Sequence, residues 1–165
     1  MTAKDIQTKI IKEYLKPRLK SLGYLTNGQN WWKDNGDFFT VIQLQNFSWN
    51  SKEKVDFCFN IGISIKAILE NLKKPTSQVL TVQTRENYYF TENRIEYKYH
   101  NKNGYTLSSE IDENKFLNEI VNDFEESILT QLEKIKTLQD CINIYGNIVF
   151  FGDNFKRVLK ENDLL

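Results

Sequence analysis

From Val55 to Ile65 apolar and polar positions alternate without a break. Val55, Phe57, Phe59, Ile61, Ile63 and Ile65 fall on one side, and Asp56, Cys58, Asn60, Gly62 and Ser64 on the other, because side chains on a strand change face at every residue. The pattern predicts a strand with one apolar and one small, polar face. Burying each large apolar side chain is worth about 1.5–3 kcal/mol before conformational entropy is counted. That face must therefore lie against a core, and the opposite face is the first place to look for a site. Phe38 to Trp49 predicts the preceding strand. There Phe38, Thr40, Ile42 and Leu44 share one side, and Phe39, Val41, Gln43, Gln45 and Phe47 the other. Apolar residues on both sides predict a strand covered on both faces for part of its length, where buried glutamines need hydrogen-bond partners.

Around this pair the periodicity changes. Ile6, Ile10, Ile11, Tyr14, Leu15, Leu19 and Leu22 recur at helical spacing, after Thr2 and Asp5 at capping-box spacing. Pro17 predicts a kink or break near Lys16, and Gly23 a stop. Asn27-Gly28, Asn35-Gly36 and Asn103-Gly104 mark turns. Trp31 and Trp32 are adjacent on a strand, so one faces the core and the other the far side. Ala67 to Leu72 reads as a short helix, and Val79 to Thr84, Arg94 to His100 and Tyr105 to Ser108 as further strands. In the last third, Phe116, Leu117, Ile120, Val121, Phe124, Ile128, Leu132 and Ile135 form one helical stripe behind an Asp112 cap, with Glu119, Asp123, Glu125, Glu126 and Glu133 on its polar side. Thr137 and Asp140 open another helix ending at Gly146. Ile148 to Phe151 reads as a short strand or buried linker, and Asp153 as the cap of a final helix through Leu159. The order of elements predicts a single α+β domain over residues 1–165. It is an antiparallel sheet of about five strands, flanked by an N-terminal helix and by C-terminal helices packed on its apolar face.

Composition narrows the functions. The chain has 165 residues, 40% hydrophobic and 13% aromatic, enough for a substantial core. Its 22 basic and 22 acidic side chains cancel, which argues against a nucleic-acid or anionic-membrane partner. Lys9, Lys12, Lys16 and Lys20 do share a helix face and leave a local basic stripe. The opening MTAKDIQTKI lacks the apolar region of a signal peptide, and no apolar run approaches a membrane span. The spacing of Cys58 and Cys141 allows a disulfide, and the preferred reading is two reduced, buried thiols, as expected in a cytoplasm.

The run Leu15-Lys16-Pro17-Arg18-Leu19-Lys20-Ser21-Leu22-Gly23-Tyr24 resembles the opening of a bacterial family of domains of unknown function, number 4304. The likeness continues through Asn27-Gly28, Trp31 and Trp32, Asn35-Gly36-Asp37, Gln45 with Trp49, and Asn60-Ile61-Gly62-Ile63. Arg85 falls at a later basic position. Phe47 departs from the pattern, which has a small residue between Gln45 and Trp49. The likeness is detailed as far as Ile65 and holds in outline beyond. It rests on fold-making residues, so it implies a fold and supplies no catalytic motif.

Catalytic signals are sparse. His100 stands alone before a turn, and no GxSxG elbow, phosphate-cradling glycine loop or Cys/His cluster is present. The carboxylate pairs Asp34/Asp37 and Asp112/Glu113 sit where turns and helix caps use them. No metal and no cofactor is expected. The remaining feature is the polar strand face: Asp56, Asn60 and Ser64, with Gly62 leaving room beside Asn60. If the neighbouring strand turns Gln43 and Gln45 the same way, the sheet carries an amide-rich patch rimmed by Trp49. Tyr, Trp and Asn suit recognition surfaces. The reading is a non-enzymatic binding module in a bacterial cytoplasm, an inhibitor or immunity-type partner of another protein. The alternatives are an enzyme with a carboxylate or amide pocket, and a nucleic-acid binder using the lysine stripe. Oligomeric state is left open.

Overall fold

A computed structural model describes residues 1–69, 75–77, 80–91 and 104–165. The expected strand Arg94 to His100, with the lone histidine, lies outside the described residues. So does the second half of the expected helix Ala67 to Leu72, whose first residues belong to a 3-10 turn over Lys66–Ile68.

The chain opens with α1 (Ala3–Ile10). Thr2 and Asp5 cap it reciprocally: the Thr2 hydroxyl accepts from the Asp5 N–H at 3.2 Å, and the Asp5 carboxylate accepts from the Thr2 N–H at 2.9 Å. Pro17 neither breaks nor ends the helical run. A π-helical turn (Ile11–Leu15) leads into α2 (Lys16–Ser21), which carries Pro17 in its first turn. In a regular helix the proline ring meets the carbonyl four residues back and leaves it without a donor. A widened turn relieves both problems, so the expected kink near Lys16 takes the form of a change in helical pitch. Gly23 ends α2 at φ +91°, a left-handed conformation that glycine adopts without penalty.

The sheet has strands β1 (Leu25–Asn27), β2 (Asn30–Asp34), β3 (Phe38–Asn46), β4 (Lys54–Ile65), β5 (Val82–Arg85) and β6 (Tyr105–Ser108). Every pairing is antiparallel, in the order β1-β2-β3-β4-β5. β3 runs along β4 from Phe38 opposite Ile65 to Asn46 opposite Phe57. The other edge of β4 is shared: β5 pairs with Asn60 to Ile63 and β6 with Lys54 to Phe57. The buried Glu86 carboxylate fills the gap between them, accepting from the backbone N–H groups of Phe59 and Gly104.

The core lies on the face of β4 formed by Val55, Phe57, Phe59, Ile61, Ile63 and Ile65, all buried. α1, the π turn and α2 cover it with Ile6, Ile10, Leu15 and Leu19. The C-terminal helices α3 (Glu113–Asn122) and α4 (Leu129–Leu132) cover it with Phe116, Ile120, Leu129 and Leu132. Phe124 meets Phe59 edge-on at 4.9 Å. As the alternation of Trp31 and Trp32 implies, Trp31 joins this core. Trp32 packs on the opposite face with Phe39, Val41 and Leu69. The architecture is α+β.

Two features of the C-terminal third differ from the periodic reading. α3 and α4 are joined by a second π turn (Asp123–Ile128), and Asp123, three residues after Ile120 on the buried side, points inward, where Tyr105 donates to its carboxylate at 2.6 Å. α5 (Leu138–Tyr145) has the expected Thr137/Asp140 capping box and closes at Gly146. Ile148 to Phe151, however, is neither strand nor buried linker. It is a turn whose Phe150 is 83% exposed with φ +66°, and α6 (Phe151–Glu161) starts there, ahead of Asp153.

A buried hydroxyl chain ties α5 to the sheet. Thr84 donates to the Ile61 carbonyl at 2.9 Å, so its oxygen takes the Tyr89 hydrogen at 2.9 Å, and Tyr89 in turn accepts from Tyr145 at 2.7 Å. Each hydroxyl has one hydrogen, so the first bond sets the direction of the rest. Both cysteines are free and buried. No helix among the described residues is long and apolar enough to cross a membrane.

Candidate functional site

Strand register builds the far face of the sheet in rows. Asn30, Gln43, Asn60 and Arg85 stand opposite one another across β2, β3, β4 and β5, and the next row holds Trp32, Val41, Gly62 and Gln83. Gln45 lies beside Cys58, and Asp56 beside Thr106 of β6. Residues distant in sequence thus meet on one surface because the pairing is antiparallel and side chains alternate.

The hydrogen bonds across this face run in one direction. Arginine can only donate. The Cys58 sulfur therefore accepts from Arg85 Nη1, and the Cys58 S–H points toward Gln45 Oε1, 3.9 Å away. Burial pushes the Cys58 thiol up to about 12, even with the Arg85 charge opposing the shift, so it keeps its hydrogen near neutral pH. The Gln45 oxygen consequently faces inward, where Asn60 Nδ2 donates to it at 2.8 Å and to Gln43 Oε1 at 3.0 Å. With both amide hydrogens used, Asn60 offers its oxygen to Gln83 Nε2 at 3.1 Å. The donors thus run from β5 across β4 to β3. Gln43 and Gln45 are left with their NH₂ groups on the half-exposed side of the network, making no hydrogen bond among the described residues. Arg85 has no carboxylate partner among them either.

The sequence-derived site residues divide into three groups. Gln43, Gln45 and Asn60 form the bonded cluster, with Asn60 only 4% exposed at its centre. Asp56 and Trp49 form a second group at one end. The indole of Trp49 donates to Asp56 Oδ2 at 2.7 Å and stacks on Phe47 with centroids 4.8 Å apart, while Thr106 donates to Asp56 Oδ1 at 2.6 Å. Asn50 closes over the Asp56 backbone, donating to its carbonyl and accepting from its N–H, both at 2.8 Å. Trp49 remains 58% exposed and rims the face. Ser64 stands apart at the other end, fully buried opposite Phe39. Gly62 does not leave room beside Asn60. A Cβ there would lie 2.0 Å from the Val82 carbonyl oxygen, so the glycine is what lets β5 approach.

Sequence reasoning missed Cys58, Gln83 and Arg85 as members of the cluster. Gln83 and Arg85 alternate with the buried Val82 and Thr84, but only pairing with β4 shows that they reach Asn60 and Cys58. The lysine stripe is interrupted: Lys9 is bound to Glu113, while Lys12, Lys16 and Lys20 are exposed. Among the described residues no group of three His, Cys, Asp or Glu side chains could hold a metal ion.

No curated protein and no solved structure matches the chain. The family model of the domain of unknown function DUF4304 matches residues 15–134. That span contains the whole amide cluster and most of the fold, and the chain belongs to the DUF4304 family.

Proposed function

We propose that this chain is a non-enzymatic binding module that recognises another protein through the far face of its sheet. The observation that supports this is the polarity of the amide cluster. Gln43 and Gln45 hold their oxygens inward on Asn60, so the face offers amide hydrogens flanked by the guanidinium of Arg85. Such a surface suits the backbone carbonyls and carboxylates of a partner segment, and the exposed ring of Trp49 adds apolar contact at its rim. Holding the donors in a bonded network limits the entropy lost on binding. The buried, free thiols fit a bacterial-type cytoplasm.

The double substitution Gln43→Glu with Gln45→Glu tests the reading. Glutamate keeps an oxygen for Asn60 and replaces the outward NH₂ with an oxygen, so the face changes from donor to acceptor while the network stays bonded. In capture from a lysate of the native source, a protein held by the wild type should be lost by this variant, with thermal unfolding confirming that it folds. A partner retained equally by both would overturn the reading. Retained nucleic acid released by moderate salt would move it to Lys12, Lys16 and Lys20.

A further inference from the structure

A separate groove of about 550 Å³ runs between α2 and the β1–β2 edge of the sheet. Its walls are apolar: Pro17, Leu25, Trp31 and the ring of Tyr24. The volume falls within the range of small-molecule sites. Its polar lining is Lys16, Lys20 and Thr26. Lys16 and Lys20 stand one helical turn apart on α2, exposed and without an ion pair among the described residues. Two positive charges free of ion pairs among the described residues thus stand at the rim of an otherwise apolar groove.

We propose that this groove binds a small amphiphilic carboxylate, with its apolar body against Pro17, Leu25 and the aromatic walls and its carboxylate at Lys16 and Lys20. A carboxylate only accepts hydrogen bonds, carries the complementary charge and leaves the rest of the ligand apolar. A neutral apolar ligand would fill the groove without matching its rim, and a polyanion would leave the walls unused. The site involves none of the residues of the amide cluster, so it stands or falls independently of the partner-binding reading.

Two of the three tryptophans, Trp31 and Trp32, line the groove, so fluorescence reads it directly. The experiment titrates the full chain carrying Trp49→Phe with octanoate, with 1-octanol as the uncharged arm and calorimetry as a second readout. The expected result is a saturable change in tryptophan emission with octanoate. Lys16→Gln with Lys20→Gln should weaken binding about tenfold, and 1-octanol should bind weaker by a similar factor, as expected for loss of charge pairing at a partly exposed rim. These lysines are exposed, so the double variant should keep its fold. No saturable signal by either readout overturns the proposal, as does equal binding of octanoate and octanol or an unchanged affinity in the lysine variant.

Discussion

The two faces of β4 are buried to nearly the same extent, yet different interactions hold them. On the core face Val55, Phe57, Phe59, Ile61, Ile63 and Ile65 are covered by helices from both ends of the chain. On the far face Asp56, Cys58, Asn60 and Ser64 are also buried, but Asp56 and Asn60 lie within hydrogen bonds drawn from four other segments. The core face gains stability from the removal of apolar area from water, which is non-directional and tolerates small shifts. The far face gains little net stability per bond, and loses much when one partner is removed and a buried group is left unmatched. A polar strand face is therefore not the same thing as an exposed one. Here it is a directional network whose free donors, among the described residues, lie at its half-exposed margin.

The sharpest way to break this contrast is to remove bulk from the core face. Phe59→Ala should cost about 3–5 kcal/mol, because Phe59 touches Phe57, Tyr105 and Phe124 and the cavity cannot collapse onto a flexible neighbour; a urea midpoint near the wild-type value would contradict it. Glu86→Gln comes next. Its two carboxylate oxygens serve two backbone N–H groups, and glutamine has one oxygen, so an N–H would face an NH₂ group. A loss of about 1–3 kcal/mol is expected in the same assay. Asn60→Ala should be milder, about 1 kcal/mol, although Asn60 is the centre of the far face, because water can reach the half-exposed Gln43, Gln45 and Gln83. A cost matching that of Phe59→Ala would show the far face to be as tightly sealed as the core.

The smallest effect is expected at the rim of the helical layer. The hydrogen bond from Arg18 holds the Glu125 carboxyl below its ordinary value of 4.5, against partial desolvation, with Tyr14 also donating. The folded state therefore binds this proton less readily than the unfolded chain. The resulting stability is complete above pH 4.5 and is lost as the pH falls through the lower folded value. Both partners are about one-third exposed, so the contribution is below about 1 kcal/mol. Glu125→Gln should lower stability at neutral pH by that amount and flatten the acid limb in denaturant titrations run at successive pH values. An unchanged slope would remove the linkage.

Much of the fold was legible because its determinants are local. The Thr2/Asp5 and Thr137/Asp140 boxes, the Gly23 stop and the alternation of β4 all depend on residues a few positions apart. The misreadings also have local causes. Asp123 is expected on the surface because it is charged, whereas its spacing of three from Ile120 and seven from Phe116 sets it on the buried side, where Tyr105 donates to its carboxylate. The apolar Ile148–Phe151 run reads as a short strand or buried linker, whereas Val149 and Phe150 project from a turn.

The sequence by itself determined that β4 has an apolar and a polar face, that Gln43 and Gln45 lie together on one side of β3, and that Trp31 and Trp32 part company. Alternation is a property of the extended backbone and needs no neighbour. Only the tertiary structure decided that Asn60 binds Gln43, Gln45 and Gln83, that Arg85 reaches Cys58, and that Glu86 fills the gap between β5 and β6. Those contacts depend on strand register, and a slip of one residue would carry each side chain to the opposite face. Register is chosen by the packing of the whole sheet against its helices, so the identity of hydrogen-bond partners across strands is a collective property that no local stretch of sequence encodes.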